Sequence, residues 1–168
     1  MTNRALAFYR ACAPDAQLIL STYKHSDPAS RHLTAKGLVD ALVLNEDPGP
    51  LPPTVKSATA GPNNLNRMLV STQSGLDLAD RDFALKVRSD ALIDPVRVMR
   101  RWKEEGDDHR LLFASRYTRH PFGINAYLFH VSDWITFGRL DRCRKYWAAP
   151  LMGYADATYF EHAPMLDD

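Results

Sequence analysis

Arg88-Ser89-Asp90 closes an apolar, strand-like run, and the residues after it open a helix. Phe83, Leu85 and Val87 alternate with Ala84 and Lys86, which suits a strand leaving a core at its carboxyl end. In an open α/β sheet that end faces the ligand crevice. A carboxylate there can hold a divalent cation against the phosphates of a nucleotide or accept hydrogen bonds from a ribose, and a neighbouring arginine offers phosphate a planar fork. The same triplet also suits a plain solvated strand end. A second candidate is Asp133, in the dense apolar run from Leu128 to Gly138, with His130 and Ser132 beside it. A buried carboxylate must be paired or hydrogen-bonded, or its pKa rises, and each condition prepares a base; capping a neighbouring element is its plainer role. A third group is Asn63, Asn66 and Arg67, in the first turn of a predicted helix, where free N–H groups and the helix dipole favour an anion such as a nucleotide phosphate. An ordinary capped helix with a solvated arginine fits them equally.

These residues need elements to position them. Leu6, Phe8, Tyr9 and Cys12 predict a short helix that Pro14 stops, followed by a strand over residues 17–23. An α/β domain normally begins with a strand on which its first helix packs. None stands before Leu6, so the first strand is expected to be missing. Residues 38–44 read as a buried strand that ends at Asn45-Glu-Asp, and five prolines make residues 45–62 a long connection. Leu65, Met68, Leu69, Thr72, Leu76 and Ala79 recur at helical spacing. Asp94-Pro95 caps a further helix with a predicted buried stripe of Val96, Met99 and Trp102, and residues 111–115 form a short strand. Asp141 to Trp147 is a short basic helix closed by Pro150. The pattern predicts an α/β fold with a central sheet in which Tyr23, Asn45, Asp90 and Ser115 share one edge.

Length and charge bound the class. At 168 residues the chain suits one domain with a real core. Lys and Arg total 21 against 20 Asp and Glu, so no global charge calls for nucleic acid or an anionic membrane. The helix carrying Arg97, Arg100, Arg101 and Lys103 lacks the interleaved aromatics that stack on bases. Cys12 and Cys143 have neither metal spacing nor disulfide density. No signal-like segment or run of about 20 apolar residues occurs, so a soluble cytoplasmic protein is expected. GxGxxG, GxxxxGK[ST], GxSxG and HExxH are all absent, which removes support for dinucleotide, P-loop, serine-hydrolase and zincin chemistry.

Asn-Glu-Asp-Pro-Gly at 45–49, the block from Asn63 to Leu76, Leu-Lys-Val-Arg-Ser-Asp at 85–90, His-Pro-Phe at 120–122 and His-Val-Ser-Asp-Trp-Ile-Thr-Phe-Gly at 130–138 occur in one order. Together they resemble the WavE family of lipopolysaccharide synthesis proteins over roughly residues 15–152. The resemblance implies a bacterial glycosyltransferase of the GT-A type, a single three-layer α/β domain lacking its first strand and its C-terminal part. It implies a nucleotide-sugar donor bound at the carboxyl edge of the sheet, and a lipopolysaccharide or other surface polysaccharide as acceptor. It places the protein in the cytoplasm, with peripheral association at the inner face of the cytoplasmic membrane. A non-catalytic remnant that binds a nucleotide-sugar or glycan is the alternative.

By the same resemblance, Arg88-Ser89-Asp90 stands where GT-A enzymes carry a DxD motif, so Asp90 would meet Mg or Mn or the ribose. Arg88 replaces the first acid and leaves one carboxylate where two usually grip the metal. Asn45, Asn66, Arg67, Arg88, Asp90 and His130 would contact substrate, and Asp133 would be the general base of an inverting transfer. Strand alternation through the run would set His130 and Asp133 on opposite faces.

Overall fold

A computed structural model describes residues 2–26, 31–34, 36–52, 62–116, 118 and 131–153. In chain order these form α1 (Thr2–Cys12), β1 (Ile19–Tyr23), a 3-10 turn (Lys24–Ser26), β2 (Ala41–Asn45), α2 (Leu65–Leu78), β3 (Phe83–Val87), α3 (Pro95–Glu105), β4 (Leu112–Phe113), β5 (Ile135–Arg139) and α4 (Leu140–Trp147). A helical turn also covers residues 31–34. Gly37, at φ 65, turns the chain back from it toward β2. β1, β2 and β4 begin later than their apolar runs, because Leu18, Val39 and Leu111 pack or turn outside the ladders, while β3 spans its predicted run. Val39, for example, is buried against Leu6, Leu20 and Leu33 without belonging to β2.

The class is α/β, but the expected single sheet is two. β1 and β2 pair in parallel from Ile19↔Ala41 to Tyr23↔Asn45. β3, β5 and β4 form a second sheet in that order, with β5 antiparallel to both neighbours. Strand alternation sends side chains to two helix layers. On one face Leu20 packs with Leu6 of α1, and Phe83 and Phe137 lie 6.0 and 5.7 Å from the Trp102 ring of α3. On the other, Ser21 meets Ser74 of α2 at 3.0 Å, and Ala84 packs on a cluster of Leu69, Leu76, Leu140, Cys143 and Trp147 from α2 and α4.

β1, β2 and β3 run the same way. Tyr23 donates its hydroxyl to the Arg67 carbonyl at the start of α2, while Gln17 Oε1 accepts from the Asp80 amide beyond the end of α2. So β1 is antiparallel to α2. On the other side, Arg144 donates to the Leu76 carbonyl and Gln73 to the Trp147 carbonyl, which sets α4 antiparallel to α2. Ala84 then lies near Cys143 and Lys86 near Trp147, so β3 runs parallel to α4 and to β1.

Between β1 and β3 there is no ladder. They flank a cavity of about 1320 Å³ that is also lined by α1, α2 and α3. This explains a departure in α3: Trp102 is its buried residue, whereas Val96 is 58% exposed and faces that cavity instead of completing the predicted stripe. Asp94 caps the helix as predicted, accepting from Val96 N at 2.9 Å and Arg97 N at 3.2 Å.

Because Leu76 is 6% exposed within the cluster that joins α2 to α4, Leu76→Ala is expected to cost about 2–5 kcal/mol in urea unfolding. A loss below about 1 kcal/mol would mean that this cluster does not hold α2 to the second sheet.

Candidate active site at the carboxyl edge

Parallel strands deliver the residues that follow them to one edge, and β5, running the other way, brings the residues that precede it to the same place. Tyr23, Asn45 to Asp47, Arg88 to Asp90, Ser115 and Arg116, and Ser132 to Trp134 therefore gather beside the N-terminus of α2. The gathering is direct: the Arg88 and Arg116 guanidinium carbons lie 5.4 and 5.9 Å from the Trp134 ring centroid. Asn63, Asn64, Lys86, Arg88, Ser89 and Asp133 line this end of the cavity.

Two arginines at this edge are held by carboxylates. Arg67 donates from Nε to Asp47 Oδ1 at 2.8 Å and from an Nη to Oδ2 at 2.7 Å, and its other Nη reaches Asn64 Oδ1 at 2.8 Å. Gly49 N adds a bond to Asp47 Oδ1 at 2.9 Å. The guanidinium and then the Gly49 amide stabilise the charged form of Asp47 and hold its pKa down at about 2, while Asp47 raises that of Arg67. Arg88 grips Asp90 in the same fork-to-fork manner, at 3.0 and 2.8 Å, which lowers the Asp90 pKa and raises that of Arg88. Both side chains of this second pair are 47% exposed, so it adds little stability. Its effect is to fix the plane of the guanidinium.

Lys86 is a half-buried cation. Its Nζ donates to the Asp133 carbonyl and sits 4.9 Å from the Trp147 ring centroid. Burial lowers its pKa, and the nearby Asp133 carboxylate opposes that shift. Asp133 itself is half-buried in a bend and not within a strand. The Ser132 hydroxyl accepts from Trp134 N at 3.3 Å, and Thr118 Oγ1 accepts from Ser132 N at 3.0 Å, so local side-chain bonds end the expected strand before β5 starts at Ile135. The predicted alternation through Asp133 therefore does not apply, and His130 lies outside the described residues.

The remaining candidates are committed to backbone. Asn45 donates to Ser21 Oγ at 2.9 Å and to the Thr22 carbonyl at 2.8 Å, tying the ends of β1 and β2. Asn66, buried, exchanges two bonds with the Met152 main chain at 2.7 and 2.9 Å. Arg88 occupies both oxygens of Asp90, and among the described residues no three His, Cys, Asp or Glu side chains come together. The donor set presented here, one carboxylate under a guanidinium, does not fit a resident divalent cation. Lys86 and Asp47 escaped the sequence reading. A lysine alternating with apolar residues inside a strand was the available sign for the first, whereas nothing local marks Asp47 as the partner of a residue 20 positions away.

Helices on both faces of parallel strands, with Arg67 and Arg88 each paired to a carboxylate at the strands' carboxyl edge, define an α/β protein whose charged side chains gather at that edge. The family model for WavE lipopolysaccharide synthesis matches residues 1–163, and the chain belongs to that family. The match reaches past residues 15–152 at both ends, so α1 and the chain up to 163 are part of the family pattern. No curated protein and no solved structure matches the chain. Among the described residues no helix is long and apolar enough to cross a membrane.

Asp47 titrates at about 2 when folded against an ordinary 3.8, so whatever stability the pair contributes is present above about pH 4 and is lost as pH falls through about 2. Carboxyl-detected NMR should follow Asp47 to this low midpoint, and Arg67→Ala should return it toward the ordinary range. An unchanged midpoint in that variant would separate Arg67 from Asp47.

Proposed function

We propose that this chain is a GT-A-like glycosyltransferase that moves a sugar from a nucleotide-sugar to a lipopolysaccharide or other surface polysaccharide. The acceptor would be met by peripheral association at the inner face of the cytoplasmic membrane. The observation that carries this reading is the convergence of Lys86, Arg88 and Asp133 with Asn63 and Asn64 at one end of the cavity, with Arg67 bonded to Asn64. Family membership supplies the lipopolysaccharide context.

In this reading the donor diphosphate lies across the N-terminus of α2, where main-chain N–H groups and the Arg67 and Arg88 forks face it. As the acceptor hydroxyl attacks the anomeric carbon, the bond to the diphosphate breaks and its electron pair leaves with the phosphate oxygen. The guanidinium groups that Asp47 and Asp90 hold at this edge exchange those partners for phosphate oxygens and neutralise that charge. Asp133 takes the acceptor proton, which requires the hydroxyl to come within about 3 Å of its carboxylate. Lys86, bonded to the Asp133 carbonyl, holds the bend that presents the side chain. Asp90 would be free to meet a ribose hydroxyl once Arg88 turned to phosphate. A binding-only protein is favoured by one feature, that Arg88 stands on the carboxylate a metal would need.

Calorimetric titration with a panel of nucleoside diphosphate sugars, each with and without Mg²⁺ or Mn²⁺, tests the reading. Binding is expected, and Arg88→Ala should weaken it by about tenfold or more. Transfer should fall about 10²-fold in Asp133→Asn while donor affinity holds. Binding without transfer or hydrolysis under any condition assigns the binding-only role. Absence of binding removes both.

A further inference from the structure

The geometry points to a docking surface for an anionic phospholipid bilayer on α3 and the segment leading into it, formed by Leu92, Val96, Arg97, Arg100 and Lys103. The inference rests on the glycosyl-transfer reading for a membrane-borne acceptor, and it assigns the side of the fold that reaches that acceptor.

Charge is the first observation. From Pro95 to Lys103, α3 carries Arg97, Arg100, Arg101 and Lys103 and no acidic residue. Asp94, just before it, accepts from the Val96 and Arg97 amides, and Arg101 is bonded to Glu105 at 2.6 Å. Among the described residues no carboxylate is paired with Arg97, Arg100 or Lys103. Val96, Arg100 and Lys103 recur at helical spacing along one stripe, with Arg97 beside it. Arg97 also stands in the first turn, where the helix dipole disfavours a cation unless an anion faces it. The cations of α4, in the opposite helix layer, are bound within the fold instead. Arg144 donates to the Leu76, Asp77 and Ala79 carbonyls, and Arg142 meets His109 at 3.1 Å.

Exposed apolar side chains are the second. Leu92 is 48% and Val96 58% exposed. Scattered exposed residues of this kind are ordinary, but these two stand four positions apart among cations that no carboxylate holds. Cations at the level of lipid phosphates with apolar tips below them are the composition of a surface that settles on a bilayer. The only aromatic residue of α3 is the buried Trp102, so the stripe offers bases nothing to stack on, and a bilayer fits it better than a nucleic acid.

Position is the third. The Trp102 ring packs on Phe83, the first residue of β3, so α3 runs antiparallel to β3 and its N-terminus stands at the carboxyl edge with Arg88 and Asp90. Tyr9 pins the segment between them, donating to the Ala91 carbonyl at 2.9 Å and accepting from Ile93 N at 3.1 Å. Leu92 is held outward between these two anchored neighbours. A bilayer seated here lies beside the edge that gathers Arg88 and Asp133, where a lipid-borne acceptor hydroxyl has to arrive.

Co-sedimentation of the full chain with vesicles tests this, with no nucleotide-sugar present. Binding is expected to an equal mixture of phosphatidylcholine and phosphatidylglycerol and not to phosphatidylcholine alone. Salt at 1 M, where the screening length is about 3 Å, should release it. Each cation near such a surface changes partitioning about fivefold, so Arg97→Gln with Arg100→Gln should weaken binding roughly 25-fold. Leu92→Ser with Val96→Ser should weaken it about fivefold, and Lys145→Gln on α4 should leave it nearly unchanged. All these side chains are exposed, so an unchanged thermal midpoint should accompany each variant. A second readout does not depend on loss of binding. In a Cys12→Ser background, an environment-sensitive dye on Val96→Cys should shift to the blue on mixed vesicles, and the same dye on Lys145→Cys should not. Equal binding to both vesicle types, full binding by the double arginine variant, or an equal loss in Lys145→Gln overturns the inference. So does binding to a single-stranded oligonucleotide, but to no vesicle, that the arginine variant loses. A chain that binds nucleotide-sugar but no vesicle loses this surface alone, whereas one that binds mixed vesicles but no nucleotide-sugar keeps the surface and loses the transfer reading.

Discussion

Helix α2 is the constraint on which everything else depends, because it is the element that touches both sheets. Its Ser74 hydroxyl lies against Ser21 of β1, and a Cβ on Gly75 would stand 3.3 Å from that serine's own Cβ, so glycine is what lets helix and strand come this close. One turn away, Leu69 and Leu76 enter the cluster with α4, which in turn packs on β3. The helix is thus clamped between two sheets that do not bond each other. Its N-terminus is fixed at the edge where β1, β2 and β3 end, through the Tyr23 hydroxyl on one side and the Asn66 exchange with Met152 on the other.

From that fixed terminus the electrostatics follow. Arg67 rises from the first turn of α2 and is met by Asp47; Arg88 leaves β3 and is met by Asp90. Arginines with ready-made carboxylate partners are oriented at little cost to the fold, since exposed pairs are worth well under about 1 kcal/mol and a ligand can take them over. A diphosphate carries more charge than a carboxylate and offers the same fork geometry, so exchange of partner is favourable in principle. Lys86 differs. Half-buried beside Trp147 and bonded to the Asp133 carbonyl, it ties β3 to the bend before β5.

Much of this was legible from the sequence where a pattern was local. Periodicity located α2, β3 and α3, Asp94-Pro95 announced a cap that the structure contains, and the charged end of β3 lies at the edge it shares with Tyr23, Asn45 and Ser115, as the alternation of elements predicted. The failures share one cause, which is that the deciding partner lies far along the chain or acts through the main chain. Apolar residues at 128–138 look like one strand because hydrophobicity does not distinguish a buried strand from a buried turn; the Ser132 hydroxyl, bonding two residues on, breaks it. Asn66 reads as an anion contact at a helix start, yet its amide nitrogen and oxygen are each bonded to the main chain of Met152, 86 positions away. Asp47 sits in a proline-rich connection whose pattern says only that it is irregular. The single central sheet was expected from alternation of strands and helices, and that pattern cannot register which neighbours actually bond.

The two-sheet arrangement bears on the site itself. Edges of strands left unpaired are usually covered or charged, because they otherwise recruit other chains. Here the facing edges of β1 and β3 are covered by α1 and α3 on one side and α2 on the other, and the only charged side chain that β3 contributes to the cavity before its end is Lys86. That lysine faces α4, away from the Phe83 and Trp102 layer. Charged groups line the cavity at both ends, Lys86, Arg88 and Asp133 toward the carboxyl edge and Arg81, Asp82, Arg100 and Lys103 elsewhere, with Leu6, Leu20, Leu76 and Leu85 also in its wall. A polar ligand entering the cavity would meet its favourable partners at the mouth and an increasing desolvation penalty beyond it. The lining of this cavity therefore favours polar groups beside Arg88 and Asp133 and apolar groups against Leu20 and Leu85.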